Sequence, residues 1–222
     1  MIMNIEIEKE IGERVPGYRV ILAEAEVRNS ETTEVLAAEM DALAADIASR
    51  YEVSQINGRP AIAATRRAYK ACGKDPNRYR PSQEQLMRRI VRGLGLYRVN
   101  TLVDAGNILS LETGCSVGFF DADKIEGELL KVGIGKEGEP YEGIGRGALN
   151  IAGLPIVRDA AGGIGTPTSD NERTKIDLGT THLVVTVHLF DSGIDADAVI
   201  TRLEELLRRH AFLTSFRSTV VS

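Results

Sequence analysis

Apolar and polar residues alternate over 2–8 and again over 18–28, beyond the Pro16-Gly17 turn, the period-two pattern of strands. The period then lengthens. Leu36, Met40, Leu43 and Ile47 share one face of a helix predicted over 31–51, with Ser30 as its cap. Pro60 opens a second helix that ends near Gly73, and Asp75-Pro76-Asn77 is a turn. Ser82 and Gln85 have the spacing of a capping box for a short basic helix that stops near Gly93. Asn100 or Thr101 starts a further helix, ended by Gly114.

Beyond Gly114 the pattern changes to short strands at 116–120 and 128–134, followed by a glycine-rich stretch to Gly153. The clearest strand is 181–190, with Leu183, Val185, Val187 and Leu189 on one face. Asp195 caps an amphipathic helix through His210, whose stripe is Val199, Leu203, Leu206 and Leu207, and 214–221 closes the sheet. Helices and strands interleave without a repeating βα unit. The expected class is α+β, a mixed β-sheet core with helices packed around it. Residues 1–58 are expected to supply N-terminal strands and a helix packed on a core formed by 59–222, one globular unit overall.

Composition narrows this picture little. A chain of 222 residues with 43% hydrophobic and 27% charged residues is not disordered, and with 5% aromatics and no Trp its core must be aliphatic. The nearly apolar run at 183–190 is far short of the ~20 residues of a membrane helix. The N-terminus alternates, unlike a signal peptide, and Cys72 and Cys115 make neither a disulfide framework nor a metal spacing, so a reduced cytoplasm is the expected compartment.

Charge changes the picture more. The formal net is −5, yet 59–98 holds eleven basic residues against only Asp75 and Glu84, a local net of +9. Such asymmetry can hold a phosphate backbone against one face of an acidic protein. The plainer reading is a set of solvated helix faces, or arginines paired with acidic flanks. Tyr69, Tyr79 and Tyr97 lie within the run and are candidates to stack on bases.

Several chemical motifs are absent. The clusters Gly143-Ile144-Gly145-Arg146-Gly147 and Gly162-Gly163-Ile164-Gly165 lack the Lys-Ser/Thr of a phosphate loop and read as turns between strands. His182 and His188 share a strand face but sit six residues apart, ~20 Å at ~3.3 Å per residue, so they cannot share a metal. There is no GxSxG elbow, and Asp121, Asp123, Glu126 and Glu128 form an acidic turn without EF-hand spacing, read as a solvated loop. Neither a metal nor a cofactor is implied.

Two segments carry a sharper reading. A helix starting at Asn100 places Asp104 and Asn107 on one face, a polar strip that needs a ligand or a backbone partner. The stretch 166–174 crowds four hydroxyls, two acids and an arginine into nine residues, which suits an amino-acid amine and carboxylate or a ribose. Equally, these groups brace loops and cap turns.

These same segments carry a family resemblance. The run 98–114, with its Val103-Asp104-x-x-Asn107 core, followed by Phe120-Asp121 and Lys124-Ile125-Glu126-Gly127, resembles the B3/B4 domain of the phenylalanyl-tRNA synthetase beta subunit. Free-standing B3/B4 proteins are closer still: they share Lys74-Asp75-Pro76, Arg78-Tyr79-Arg80-Pro81-Ser82 and Pro167-Thr168-Ser169-Asp170 with Arg173-Thr174. In the synthetase this domain hydrolyses tyrosine wrongly attached to the phenylalanine tRNA. The resemblance covers roughly 62–216 and implies a pocket for an aminoacyl group beside a tRNA-facing surface. Asn107 falls on the family's pocket asparagine, whereas Gly118 stands in place of a histidine and Pro167 in place of a glutamate. It implies either a pocket reshaped for another acyl group or one that binds without hydrolysing. No ATP-binding motif of the synthetase core is present.

The leading expectation is a free-standing module that binds tRNA or aminoacyl-tRNA and edits it in trans. Asp104 and Asn107 are its expected catalytic groups. Asn100, Asn107, Glu112, Gly118, Thr168, Ser169, Asp170 and Arg173 are expected to bind substrate, in a pocket between the helix at 100–112 and the loop at 166–173. Arg66, Arg67, Lys70, Arg78, Arg80, Arg88, Arg89 and Arg92 are expected to hold the tRNA. The second expectation is a non-enzymatic binder of a free amino acid or similar metabolite in the same pocket. Scattered, paired arginines favour the second, and a positive surface continuous with the pocket favours the first.

Overall fold

A computed structural model describes residues 3–222; the first residue of the strand expected at 2–8 lies outside them. Alternation builds two sheets. The four-stranded sheet has the order β11 (Ser215–Val221), β2 (Arg19–Glu26), β10 (His182–Leu189), β3 (Ser116–Asp121), all antiparallel. The five-stranded sheet runs β1 (Asn4–Ile7), β4 (Leu129–Ile134), β7 (Pro155–Arg158), β8 (Gly163–Thr166), β9 (Ser169–Asp170), and its β1–β4 pair is parallel. The small hairpin β5 (Glu142–Gly143) and β6 (Gly147–Ala148) is bridged to the five-stranded sheet just past β9, where Gly143 pairs with Asn171 and the Ile144 amide donates to the Asp170 carbonyl at 3.0 Å. Strands from the first 58 residues enter each sheet: β1 pairs with β4, and β2 lies between β11 and β10.

β10 is buried on both faces, which fixes the layers. Leu183, Val185, Val187 and Leu189 join a core with α5 (Thr101–Thr113) and α6 (Ala196–His210). Val184 faces the other way, with Val20, Leu22 and Phe120, onto Val132, Val157 and Ile164 of the five-stranded sheet. Each fully buried aliphatic or aromatic side chain adds about 1.5–3 kcal/mol, so this inter-sheet layer holds the two sheets in register. α2 (Glu34–Arg50) straddles two cores. Leu36 and Met40 face the sheet, while Ile47 meets Ile62 of α3 (Pro60–Ala71) and Met87 and Ile90 of α4 (Ser82–Val91).

The ends of elements depart from the sequence reading in definable ways. Helix α2 starts at Glu34 because Thr33, not Ser30, accepts from the Leu36 amide, 3.3 Å away; Ser30 instead donates to the Glu31 carbonyl. The capping box at Ser82 is not formed, since Pro81 precedes the helix and Gln85 turns back to the Arg80 carbonyl at 2.7 Å. A six-residue helix α1 (Lys9–Arg14) escaped the reading because it buries a single apolar residue, Ile11. The acidic turn is not wholly solvated: Asp121 is buried, accepts from Thr180 at 2.8 Å and pairs with Lys124.

Candidate functional site

The two sheets meet at an edge formed by β3 on one side and β8–β9 on the other. Three residues of β3 define the edge. Gly118 and Phe120 face the five-stranded sheet, and Phe119 turns its ring toward Gly106 of α5. The Phe120 ring tip lies between two glycines. A Cβ at Gly118 would come within 2.6 Å of the ring and 3.1 Å of Thr186 Oγ1; a Cβ at Gly165 would come within 2.5 Å of the ring and 3.0 Å of Asp170 Oδ1. The space that a side chain at residue 118 would need is therefore occupied by the Phe120 ring, and a larger residue there must displace it.

Asp170 supplies the carboxylate of this cleft. It receives a single long hydrogen bond, from the Phe119 amide at 3.4 Å, and no arginine or lysine pairs with it among the described residues. Burial pushes its carboxyl up to about 8, against the small opposing pull of that amide. The Thr186 hydroxyl, on the other side of the Phe120 ring, is buried with no partner among the described residues. An unpaired buried hydroxyl is uncommon and costly, and it marks a place that accepts a polar atom.

The loop holding Asp170 is fixed from three directions. The Tyr69 hydroxyl meets Thr168 Oγ1 at 2.9 Å, the Tyr141 hydroxyl donates to the Ser169 carbonyl at 2.6 Å, and the Ser82 amide donates to the Pro167 carbonyl at 2.8 Å. Behind it, Ser116 donates to Gln83 at 2.8 Å and Gln83 to Thr65 at 3.3 Å, so buried polar side chains tie α3 and α4 to β3. Helix α4 thus begins against the cleft.

The other expected substrate residues have different partners. Asn100 caps α5, accepting from the Val103 amide at 3.0 Å. Asp104, wholly buried, accepts from Thr32 at 2.6 Å and from the Val99 amide at 3.2 Å; burial raises its carboxyl, with both donors and Arg98 opposing. Asp104 and Asp170 share no partner. At the far end of α5, Glu112 takes a two-pronged bond from Arg202 at 2.8 and 2.9 Å. Arg173 makes a similar fork to Asp159 at 2.7 and 2.9 Å, which holds the Asp159 carboxyl low. Asn107 is half-buried, and its side-chain amide has no hydrogen bond among the described residues. The Ser169 hydroxyl donates to the Asp170 carbonyl at 3.2 Å, and its amide to Thr166 Oγ1 at 3.1 Å.

Sequence reasoning placed Asp170 in the candidate loop but assigned the carboxylate chemistry to Asp104. The missed groups are Thr186, Phe120 and the Phe119 amide. Their signal is the pairing of β3 with β10, which puts Gly118 opposite Thr186 and is invisible in a single strand's pattern. Two open cavities of about 510 and 530 Å³ lie elsewhere, around Glu24 and His182 and around Tyr141 and Arg173, and neither is lined by Gly118 or Asp170.

The eight expected tRNA-facing residues divide evenly. Arg66 and Arg88 are drawn to the fully buried Glu84 at 2.9 and 2.8 Å, Arg80 approaches it at 3.9 Å, and Arg89 is engaged by Tyr97 and the Leu94 carbonyl. Arg67, Lys70, Arg78 and Arg92 are exposed and make no ion pair among the described residues. Tyr69 is buried and Tyr79 lies under the Lys74 ammonium, so only Tyr97 of the three tyrosines is open.

This arrangement defines a two-sheet α+β protein with buried polar groups, Asp170 and Thr186, around the Phe120 ring where the sheets meet. Residues 64–206 match the B3/4 domain family, and the chain belongs to it. The phenylalanine–tRNA ligase beta subunits of Bartonella henselae and Bartonella quintana are each 31% identical over 110 residues, 49% of this chain and 14% of the relative. The chain thus corresponds to a small part of those relatives. An N-terminal fragment of the phenylalanyl-tRNA synthetase beta subunit from Pyrococcus horikoshii superposes with a TM-score of 0.50 at 11% identity, over 100% of this chain and 56% of the fragment. At that identity the likeness is one of fold.

Proposed function

We infer that this B3/4 protein binds the aminoacylated 3′ end of a tRNA and hydrolyses its ester, acting in trans on tRNA charged elsewhere. The tRNA half of the reading draws on the relatives, whose names join phenylalanine to tRNA, and on the four unpaired cations of α3, α4 and their loops. The hydrolytic half rests on one observation: the Asp170 carboxyl, raised to about 8 by burial and accepting only one weak bond. A carboxyl so raised is largely protonated at pH 7 and ionised above about 8, where the carboxylate is a strong enough base to take a proton from water. Water attacks the ester carbonyl as the Asp170 carboxylate accepts its proton; the bond to the ribose oxygen then breaks, Asp170 returns that proton to the leaving oxygen, and the free amino acid and the ribose hydroxyl separate. The Phe119 amide and the Thr186 hydroxyl are polar groups at hand to fix the water or the substrate.

A panel of mischarged tRNAs incubated with the purified protein tests this reading. One amino acid is expected to be released, and release is expected to fall at least tenfold in Asn107→Ala, with folding changed by no more than ~0.5 kcal/mol because the Asn107 amide has no partner to lose. Unfolding of that variant would make Asn107 structural. The pairing of Arg66, Arg88 and Arg89 favours a second reading, a binder of a free amino acid with the basic face idle. Release from no tRNA, with saturable binding of a free amino acid, would select it.

A further inference from the structure

The loop between α4 and α5 belongs to neither sheet, and the Asp170 cleft makes no use of it. Tyr97 in this loop is 61% exposed. It is nevertheless held: the Arg89 guanidinium lies 3.7 Å from the ring centroid, donates from Nη1 to the Tyr97 hydroxyl at 2.8 Å and from Nη2 to the Leu94 carbonyl at 3.0 Å. Arg89 Nε is buried under the loop with no partner among the described residues, so the guanidinium sits there at some cost. One face of the ring is covered by a cation and the rest meets solvent. Leu94 and Val99 of the same loop are 58% and 51% exposed.

We propose that Tyr97, backed by Arg89, is a stacking platform for an unpaired nucleobase of an RNA strand. A ring already fixed by its cation loses little freedom when a base lands on its open face. Every base has a π face, so such a platform accepts RNA without reading sequence. The charge around it suits a polyanion: the loop lies in the stretch of local net +9, and the exposed Arg92 at its start has no ion pair among the described residues. An apolar protein partner has no use for that concentration of cations.

Position supplies the second argument. The first residue of α4, Ser82, is bonded to Pro167 beside the cleft, and Arg89, near the last turn of the same helix, carries Tyr97. Ten helical residues span about 15 Å. The platform thus lies about one helix length from the loop that carries Asp170, within the reach of a few unpaired nucleotides. The identity of the strand as the unpaired 3′ end of a tRNA rests on the function proposed above; the platform itself needs only RNA.

The test uses a tRNA acceptor minihelix carrying 2-aminopurine, in turn, at each unpaired 3′ position. Stacking quenches this base. Wild type is expected to bind and quench at one position; Tyr97→Ala should bind roughly 5- to 150-fold more weakly, without quenching. Tyr97→Phe, which keeps the ring, should retain both. Equal binding and quenching by Tyr97→Ala would overturn the platform and leave the tRNA reading standing. Failure of wild type to bind the minihelix would overturn both. Self-association of wild type that Tyr97→Ala abolishes, without RNA binding, would assign the patch to a protein contact and overturn the proposal.

Discussion

Gly118 is a glycine because of a residue two places further on. The Phe120 ring fills the volume that a side chain at 118 needs, with 2.6 Å between the ring and a Cβ built there. Gly118→Ala should therefore lower stability by about 1–3 kcal/mol, as overpacking does. Phe120→Ala alone leaves a cavity and should cost about 3–5 kcal/mol. In the double variant the clash is gone, so the two effects should combine to less than their sum by at least about 0.5 kcal/mol in urea-unfolding midpoints. Strict additivity would show that the ring does not set residue 118.

Helix α5 was legible almost entirely. Its apolar period, the Asn100 cap and the stop at Gly114, whose φ of 74° only glycine adopts readily, all follow from local chemistry. Asn100→Ala should cost about 0.5–2 kcal/mol, read as a lower thermal midpoint with no loss of deacylation beyond what unfolding explains. A loss of activity in the still-folded variant would place Asn100 at the substrate. What local chemistry did not give is what each polar residue of α5 faces. Asp104 looked like a free carboxylate on a helix face, but Thr32 and Val99, from two separate segments, consume it. Asp170 looked like one hydroxyl-rich turn residue among several. Its carboxyl is raised by burial at the meeting of the two sheets, and its one hydrogen bond, which opposes that rise, comes from β3, about fifty residues earlier; no window of sequence contains that surrounding.

Across the whole molecule, the α+β class and the B3/4 family were readable before the structure, because both reside in element order and in a contiguous run of motif residues. The charge asymmetry was readable only as a total. Of the eleven basic residues behind it, seven turn to carbonyls, aromatic rings or carboxylates, the buried Glu84 chief among them, and Arg67, Lys70, Arg78 and Arg92 stand free among the described residues, on α3 and on the loops at either end of α4. Helix α4 links Pro167, bonded by the Ser82 amide at its start, to Tyr97, held by Arg89 near its end, with the exposed Arg78 and Arg92 in the loops on either side. No helix among the described residues is long and apolar enough to cross a membrane.

The central claim is that the Asp170 carboxylate is the base at the reacting ester. It is tested most directly by single-turnover deacylation of the preferred aminoacyl-tRNA from pH 6 to 9, by wild type and Asp170→Asn, each corrected for spontaneous hydrolysis. The active form is ionised, so the wild-type rate should rise with pH and level off above about 8. Asp170→Asn should lose about 10²-fold or more at the plateau, together with that rise. Equal rates and equal pH profiles for the two proteins would contradict the claim.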